Sequence, residues 1–369
     1  MRLDASFFRS AYGWPYLLAP LIPAAVALEL FGAPATVVFA ASALGIVPTA
    51  ALMGRATEEL AARSGPGVGG LLNVTFGNAP ELIIALFALG EGLHEVVKAS
   101  IIGSIIGNIL LVLGAAMLFG GLGRERQVFS RTSAAVQSSM LLLATVALLM
   151  PAIFELVEGK GLPMPGSELV DYGSTVEQLS LAVAIVLIAT YVLGLVFSLK
   201  THRDLFNPEY DDEDTWGWST RTSVIALAIA GILVGVMSEV LVGSIAHASE
   251  SIGLSEFFIG VIVVAIVGNA AEHWVAVLVA TKDKMDLSVN IAIGSAAQVA
   301  LFVAPVLVIA SYLIGPHPLA LVFNGFELGA LLLAVLIGNY VTQDGESTWF
   351  EGAQLLAVYL VLGLTFYFA

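Results

Sequence analysis

The distribution of apolar residues along the chain constrains its fold more than any other feature. A helix that crosses a bilayer needs roughly 20 consecutive, mostly apolar residues. Only 12% of the residues are charged, about half of the roughly 25% in soluble domains, so lipid must cover much of the surface. The sequence therefore predicts an all-α integral membrane protein with 11 transmembrane helices. The predicted spans are residues 14–31, 34–61, 67–90, 94–121, 128–156, 177–200, 222–248, 256–280, 287–314, 319–340 and 351–369.

The positive charges predict an orientation for these spans. With the N-terminus in the cytoplasm, 12 of the 14 lysines and arginines fall in cytoplasmic segments, and only Lys98 and Lys160 fall outside. Cytoplasmic loops of membrane proteins carry such an excess. The odd number of spans then places the C-terminus outside. The first apolar run has no small-residue cleavage site, so we interpret it as a membrane helix rather than a signal peptide.

Two acidic stretches lie between the spans. The run 209–214 is predicted to be cytoplasmic; it has the character of a solvated linker and lacks the ligand spacing of an EF-hand. Residues 157–177 form an external loop, interpreted either as a solvated connector or as a vestibule that attracts cations. The net charge is −15 and no basic patch is present, so we expect no nucleic-acid partner. The sequence has no cysteine, which excludes disulfides and thiolate metal sites.

An internal repeat relates the two halves of the chain. Gly77–Glu81 reads GNAPE, and Gly268–Glu272, 191 residues later, reads GNAAE. A Gly-Ser pair follows each glutamate, with Ser104 and Ser295 each 23 residues downstream. Because each half holds an odd number of spans, the copies run in opposite directions, as in secondary transporters. The predicted organisation is an N-terminal segment with an extra helix (1–33), a first repeat of five helices (34–203), a cytoplasmic acidic linker (204–220) and a second, inverted repeat of five helices (221–369).

Glu81 and Glu272 lie well inside apolar spans, where an ionisable side chain is expensive and is a functional candidate by default. The structural alternative is a protonated glutamate that hydrogen-bonds a neighbouring helix, which explains one such residue better than two at repeat-related positions. Asn78 and Asn269 stand three residues earlier, on the same helix face. Carboxylate and amide oxygens are ligands that Ca2+ prefers. These four residues are the predicted metal ligands.

Other polar groups are expected near the glutamates. Gly77 and Gly268 weaken the helix, and Pro80 removes a backbone donor in the first copy, so freed carbonyls become candidate ligands. Ser104 and Ser295 would bring hydroxyl groups from the neighbouring spans.

Asn108 and Gln298 follow those serines, and they are either ligands or interhelical hydrogen-bonding residues. Gly103 and Gly107 have a GxxxG spacing, for which close helix packing is the expected role.

The paired carboxylates Glu81 and Glu272 themselves predict that the site exchanges Ca2+ for protons. Ionised and empty, they would repel each other at low dielectric, and one Ca2+ or two protons would neutralise the pair equally well.

These motifs resemble those of a known family. Asn73–Leu82 followed by Gly103–Asn108 resembles the first signature of the Ca2+/H+ exchanger family, within the Ca2+/cation antiporter superfamily. Val267–His273 followed by Gly294–Gln298 resembles the second signature. The acidic run 209–214 is similar to the family's acidic helix. Four elements match in order and spacing, and the resemblance covers almost the whole chain.

The resemblance implies an antiporter, not an enzyme, that exchanges Ca2+ for protons by alternating access as spans 2 and 7 slide. It implies no cofactor, since Ca2+ is the transported substrate, and the bilayer is the protein's surroundings. A prokaryotic plasma membrane is the expected location, and a homo-oligomer is left open. The implied Ca2+ ligands are Glu81 and Glu272, assisted by Asn78, Asn269, Ser104, Ser295 and Gln298.

Several further titratable residues lie in or near the spans. His273 matches a family position linked to transport, and its alternative role is that of a hydrogen-bonded buried histidine. Glu239 in span 7 is a candidate for lining a proton or Ca2+ path, as is Glu58 at the end of span 2. Glu327 is expected to pair with a neighbouring helix, and Glu59 is expected to be an exposed charge.

The main alternative is a Na+- or K+-coupled Ca2+ exchanger of the same fold. Sodium-driven relatives typically carry Ser or Thr three residues before each glutamate and an Asp in the second span pair. Here Asn78 and Asn269 take the first positions, and no Asp lies between Asp286 and Asp344, which favours protons. A hydrolase would need an HExxH motif or a nucleophile with a base, and a channel would need pore-lining rings repeated about the membrane normal.

Overall fold

A computed structural model describes residues 13–166, 174–202 and 217–369. The acidic run 209–214, most of the linker 204–220 and part of the acidic loop 157–177 lie outside the described residues. A short 3-10 helix, Trp14–Leu18, precedes the first α-helix. The α-helices are α1 (Leu21–Leu30), α2 (Ala35–Phe76), α3 (Ala79–Gly90), α4 (His94–Ile106), α5 (Leu113–Gly121), α6 (Arg131–Val157), α7 (Ser174–Val196), α8 (Thr220–Ile252), α9 (Glu256–Phe258), α10 (Ala265–Thr281), α11 (Met285–Gln298), α12 (Ala304–Ala310), α13 (Gly325–Val341) and α14 (Trp349–Phe368).

The helices agree with a multi-pass membrane protein. In the described part of the chain, eight helical stretches are long and apolar enough to cross a membrane, and three shorter apolar ones accompany them, Trp14–Leu30, Ala79–Gly90 and Gly325–Val341. Each predicted span coincides at least in part with one of these stretches. Eleven crossings and the inverted arrangement of the repeats remain predictions.

Helix α2 contains the turn that was predicted between spans 2 and 3. Its helical hydrogen bonding continues from Ala35 to Phe76, yet a Cβ atom on Gly69 would lie 2.4 Å from the carbonyl oxygen of Ala61. Residues eight apart in a straight helix are separated by about 12 Å. The chain therefore reverses direction within α2, close to the predicted connection at residues 62–66.

The two GNxxE copies differ in backbone structure. Helix α2 ends at Phe76 and α3 begins at Ala79, so Gly77 and Asn78 form a break. Pro80 then occupies the first turn of α3, where its missing N–H is harmless. In the second copy α10 runs without interruption from Ala265 to Thr281, so the weakening predicted at Gly268 does not become a break. Ala271, at the position of Pro80, keeps its N–H donor, and a single glycine is tolerated within a helix.

A second feature of the repeat was not anticipated from the sequence. Residues Gly107–Val112 and Val299–Val303 are π-helical, and each segment directly extends the helix that carries a Gly-Ser pair. With the 191-residue offset, the first segment corresponds to residues 298–303. Two more π-helical segments are Phe197–Thr201 and Ile259–Val264. Single-turn π segments inside α-helices are frequent at functional sites.

Span 10 begins with irregular backbone rather than helix. Residues 319–323 are buried, although α13 starts only at Gly325. The Leu319 N–H donates to Ser311 Oγ at 2.7 Å, and the Leu321 N–H donates to Ser180 Oγ at 3.0 Å. Side-chain hydroxyls thus replace helical hydrogen bonds, which permits non-helical backbone where protein covers it.

The chain forms two compact units. Among the described residues, unit 1 comprises residues 13–87, 193–202, 217–253 and 267–275, and unit 2 comprises residues 88–166, 174–192, 254–266 and 276–369. Unit 1 packs α2 against α8. Unit 2 includes α4, α6, α11, α13 and α14, together with a two-stranded antiparallel pair, β1 (Gln127–Val128) and β2 (Glu346–Ser347).

Contacts within unit 2 separate the loops into two groups. At one end the loops near residues 122–130, 280–286 and 342–348 meet through β1–β2, a Gln127 side-chain hydrogen bond to the Ala280 carbonyl (2.9 Å) and an Arg126–Glu346 ion pair (2.7 Å). At the other end, Glu95 accepts from the Gly166 N–H at 2.6 Å, and the His94 and His317 rings lie 4.1 Å apart. All loops of the first group were predicted to be cytoplasmic and all of the second external. The contacts between loops of unit 2 therefore agree with the predicted alternation of its spans between the two sides of the membrane.

Candidate cation-binding site

Unit 1 brings the two repeat glutamates together. Glu81 is in the first turn of α3 and is 7% exposed, and Glu272 is half-buried on α10. Their carboxylates are close enough to interact electrostatically. A Cβ atom on Gly268 would lie 3.0 Å from Glu81 Cγ, so the missing side chain of Gly268 makes room for the carboxylate arm.

The amides of the motif lie with the glutamates in the same unit. Asn269 is buried and interacts with the Glu81 side chain, and Asn78 is buried at the break before α3. Both carboxylate oxygens of Glu81 are buried, and apart from the contact with Asn269 no described residue donates a hydrogen bond to either. A buried carboxylate without donors is strongly unfavourable unless a cation or a proton neutralises it. The geometry therefore suits a positively charged occupant.

Carboxylates alone do not complete such a site. Among the described residues, no group of three or more His, Asp or Glu side chains is arranged to hold a metal ion. Ca2+ takes about 6–8 oxygen ligands, so amide, hydroxyl, backbone and water oxygens would have to supply the remainder. Asn78, Asn269 and the carbonyls at the Gly77–Asn78 break provide such oxygens in unit 1.

The Gly-Ser pairs lie in unit 2. Ser104 and Ser295 are buried on α4 and α11, and these helices contact each other. Asn108 lies in the π-helical segment and is fully buried, and neither atom of its amide group has a hydrogen-bonding partner in the described part of the chain. Of its two predicted roles, interhelical hydrogen bonding is thus not observed. Gln298 ends α11 next to the second π-helical segment.

Other candidate residues have varied surroundings. His273 is half-buried beside Glu272 in the sequence of α10, and its Nε2 has no described hydrogen-bonding partner. Glu239 is exposed on α8. An exposed carboxylate near the middle of a membrane helix is expected to contact water rather than lipid.

Two predictions for the remaining acids have opposite outcomes. Glu59 is 1% exposed, pairs with Arg55 at 2.8 Å and accepts from the Trp218 N–H at 2.9 Å; the prediction of an exposed charge was wrong. Glu58 is the second partner of Arg55, at 3.0 Å. Glu327 is buried on α13, where its carboxylate accepts from the Asn324 N–H at 2.8 Å; Lys98 on α4 acts on it electrostatically, so the expected interaction with a neighbouring helix is one of charge, and the hydrogen bond comes from its own helix.

Comparison with known proteins identifies the family of this chain. The family described as sodium/calcium exchanger protein matches residues 34–200 and 222–368, and so includes both GNxxE motifs. The chain belongs to this family, in its Ca2+/H+ exchanger group. One family member, the Ca2+/H+ antiporter of Aphanothece halophytica, is 48% identical over 351 residues, which are 90% of each protein.

Further members extend the similarity to sequence and structure. The Ca2+/H+ antiporter ChaA of Bacillus subtilis is 44% identical over 356 residues, 95% of this chain and 97% of the relative. The crystal structure of the selenium-substituted Ca2+/H+ antiporter protein YfkE is 40% identical, covers 99% of this chain and 100% of its own, and superposes with a TM-score of 0.81. The fold is thus that of a Ca2+/H+ exchanger over almost the full length.

Proposed function

We propose that the protein is a secondary antiporter that exchanges Ca2+ for protons across a membrane. The observation that carries this proposal is the pair formed in unit 1 by buried Glu81 and half-buried Glu272, in a chain whose relatives at 44% and 48% identity are named Ca2+/H+ antiporters. Eleven spans, an extra N-terminal helix followed by two inverted repeats of five, with a cytoplasmic N-terminus, are the arrangement that fits this function.

Charge competition explains why such a pair exchanges its ligands. Two neighbouring ionised carboxylates at low dielectric repel each other. Either one Ca2+ or two protons neutralise them, and binding of one excludes the other. Alternating access then requires that the neutralised site, with either occupant, changes the side to which it opens. Asn78, Asn269 and the Ser104, Ser295, Asn108 and Gln298 side chains are the proposed additional ligands.

The experiment measures 45Ca2+ uptake into proteoliposomes with an acidic lumen. Wild type, Glu81→Gln and Glu272→Gln are compared, each with and without a protonophore and with and without a Na+ gradient. Glu125→Gln is the matched control, because it changes an exposed carboxylate outside the helices and outside the acidic loop 157–177.

Proton-driven exchange at the paired site predicts that the protonophore or either site substitution abolishes uptake, while Glu125→Gln leaves it unchanged. Uptake that ignores the proton gradient and follows Na+ would assign the protein to the sodium-coupled alternative. Persistent transport in both glutamate variants would refute the site.

A further inference from the structure

The repeat also relates two acids at opposite ends of unit 2. Glu95 and Asp286 are 191 residues apart and each lies in the first turn of its helix, α4 or α11. Glu95 accepts from the Gly166 N–H at 2.6 Å, and Asp286 accepts from the Ser130 N–H. One turn further along each helix, the two ends differ chemically.

The α4 end contains a buried cation. Lys98 is 4% exposed, donates from Nζ to the Val322 carbonyl oxygen at 3.1 Å, and interacts with Glu327. Its counterpart in the second repeat is Val289. This end of α4 therefore already holds a cation of the protein itself, which competes with Ca2+ for the Val322 carbonyl oxygen and the Glu327 carboxylate.

The α11 end contains neutral polar groups instead. Asn290, one turn after Asp286, accepts through Oδ1 from Ser133 Oγ at 2.9 Å and from Gln137 Nε2 at 2.7 Å. Ser133 and Gln137 both belong to α6. These three residues, here called the Gln137 cluster, connect α6 to α11 between Asp286 and the Gly294–Ser295 pair.

The Gln137 side chain leaves one oxygen unused. Its Oε1 atom is buried and has no hydrogen-bonding partner in the described part of the chain. A Cβ atom on Gly294 would lie 3.2 Å from this oxygen, so Oε1 faces the turn that carries Ser295. In the first repeat, Gly103 instead packs against backbone, where a Cβ atom would lie 2.1 Å from the Val261 oxygen.

A purely structural amide would be expected to use both its donor and its acceptor. Leaving a buried acceptor unpaired is unfavourable, and such a group is worth explaining by function. Amide and hydroxyl oxygens are hard ligands of the kind that Ca2+ takes during partial dehydration.

We propose that the Gln137 cluster is a transient Ca2+ subsite between Asp286 and Ser295, with Gln137 Oε1 as its principal ligand. This inference rests on the proposed function. It makes the two faces of the transporter unequal: Ca2+ is coordinated on its way through the α11 end, whereas Lys98 disfavours Ca2+ at the α4 end.

The test measures the KM for Ca2+ from each face in oriented proteoliposomes. Gln137→Leu removes the oxygen at similar size, Gln137→Glu replaces it with a carboxylate, and Gln354→Leu makes the first change at an exposed position of α14. We expect Gln137→Leu to raise the KM about fivefold or more on the face bearing Asp286 only. Gln137→Glu should lower that KM, and Gln354→Leu should leave it unchanged.

A structural role would give a different result. Both Gln137 variants would then lower the maximal rate and the melting temperature with an unchanged KM, and the subsite would be refuted while exchange by wild type stands. An equal change of KM on both faces would refute it as well. If wild type itself does not exchange Ca2+ for protons, the proposed function falls and the subsite with it.

Discussion

At the scale of single residues, the two glutamates of the repeat were predictable because an ionisable side chain inside an apolar span carries a free-energy cost. One such carboxylate already requires a functional or structural explanation. Two at repeat-related positions indicate a common function. Glu59 shows the limit of this reasoning. Its position near the end of a span suggested an exposed charge, but Arg55 and the distant Trp218 N–H bury and satisfy it. A partner 159 residues away leaves no mark on local spacing.

Gly268 is expected to be required for the position of Glu81. Gly268→Val places carbon atoms within about 3 Å of Glu81 Cγ, and overpacking of this kind costs typically about 1–3 kcal/mol. If this penalty falls on the Ca2+-bound geometry, the affinity for Ca2+ decreases about tenfold. Equilibrium 45Ca2+ binding measures it. Gly329→Val is the control, since a Cβ atom there meets nothing within 4 Å; equal affinities in the two variants would contradict the prediction.

The Lys98–Glu327 interaction makes a prediction about stability. Lys98→Met removes the ammonium charge that acts on the buried Glu327 carboxylate and leaves that carboxylate with the Asn324 N–H as its hydrogen-bond donor, which is unfavourable for a buried charge. We expect a clear loss of melting temperature in detergent. The double variant Lys98→Met with Glu327→Gln also removes the carboxylate charge, and it should recover most of the lost melting temperature. A double variant no more stable than Lys98→Met would show that the two charges do not depend on each other.

At the scale of helices, the sequence predicted the elements but not their local irregularities. Gly77 and Gly268 looked equivalent, yet only the copy with Pro80 is broken, because proline suits the first turn of a new helix. The π-helical segments after Ile106 and Gln298 had no recognisable signal in composition or period. A π-helical turn holds one more residue than an α-helical turn. It therefore changes which side chains face the neighbouring helix, and this depends on packing rather than on local sequence.

The GxxxG spacing of span 4 provides a matched pair of glycines. A Cβ atom on Gly103 would lie 2.1 Å from the Val261 backbone oxygen, whereas one on Gly107 meets nothing within 4 Å. Close packing was therefore predicted correctly for the first glycine only. Gly103→Ala should destabilise the protein by about 1–3 kcal/mol, and Gly107→Ala should have little effect on packing. Thermal denaturation in detergent compares them, and equal melting temperatures would contradict the account.

At the scale of the whole molecule, charge asymmetry predicted a topology that agrees with the internal contacts of unit 2. Loops assigned to one side by the charge count and the alternation of spans do meet one another, through β1–β2 and the Arg126–Glu346 pair. The absolute orientation rests on the positive-inside rule. The partition into two compact units was not predictable from the repeat, because each unit takes segments from both halves.

Single cysteines test the topology directly, because the chain has none of its own. Glu125→Cys and Glu158→Cys place a thiol at exposed positions predicted to be cytoplasmic and external. In intact cells a membrane-impermeant maleimide should label Glu158→Cys, and it should reach Glu125→Cys only after permeabilisation. Labelling of both without permeabilisation would contradict the predicted number of spans, and the reverse pattern would invert the orientation.

The central claim is that Glu81 and Glu272 bind either Ca2+ or protons. Its most direct test counts the protons released when Ca2+ is added to purified protein in weakly buffered detergent solution. At a pH where the empty pair is protonated, the account predicts release approaching about two protons per bound Ca2+, with a smaller release and weaker binding in Glu81→Gln and Glu272→Gln. Binding of Ca2+ without proton release, or a release unchanged in both variants, would contradict it.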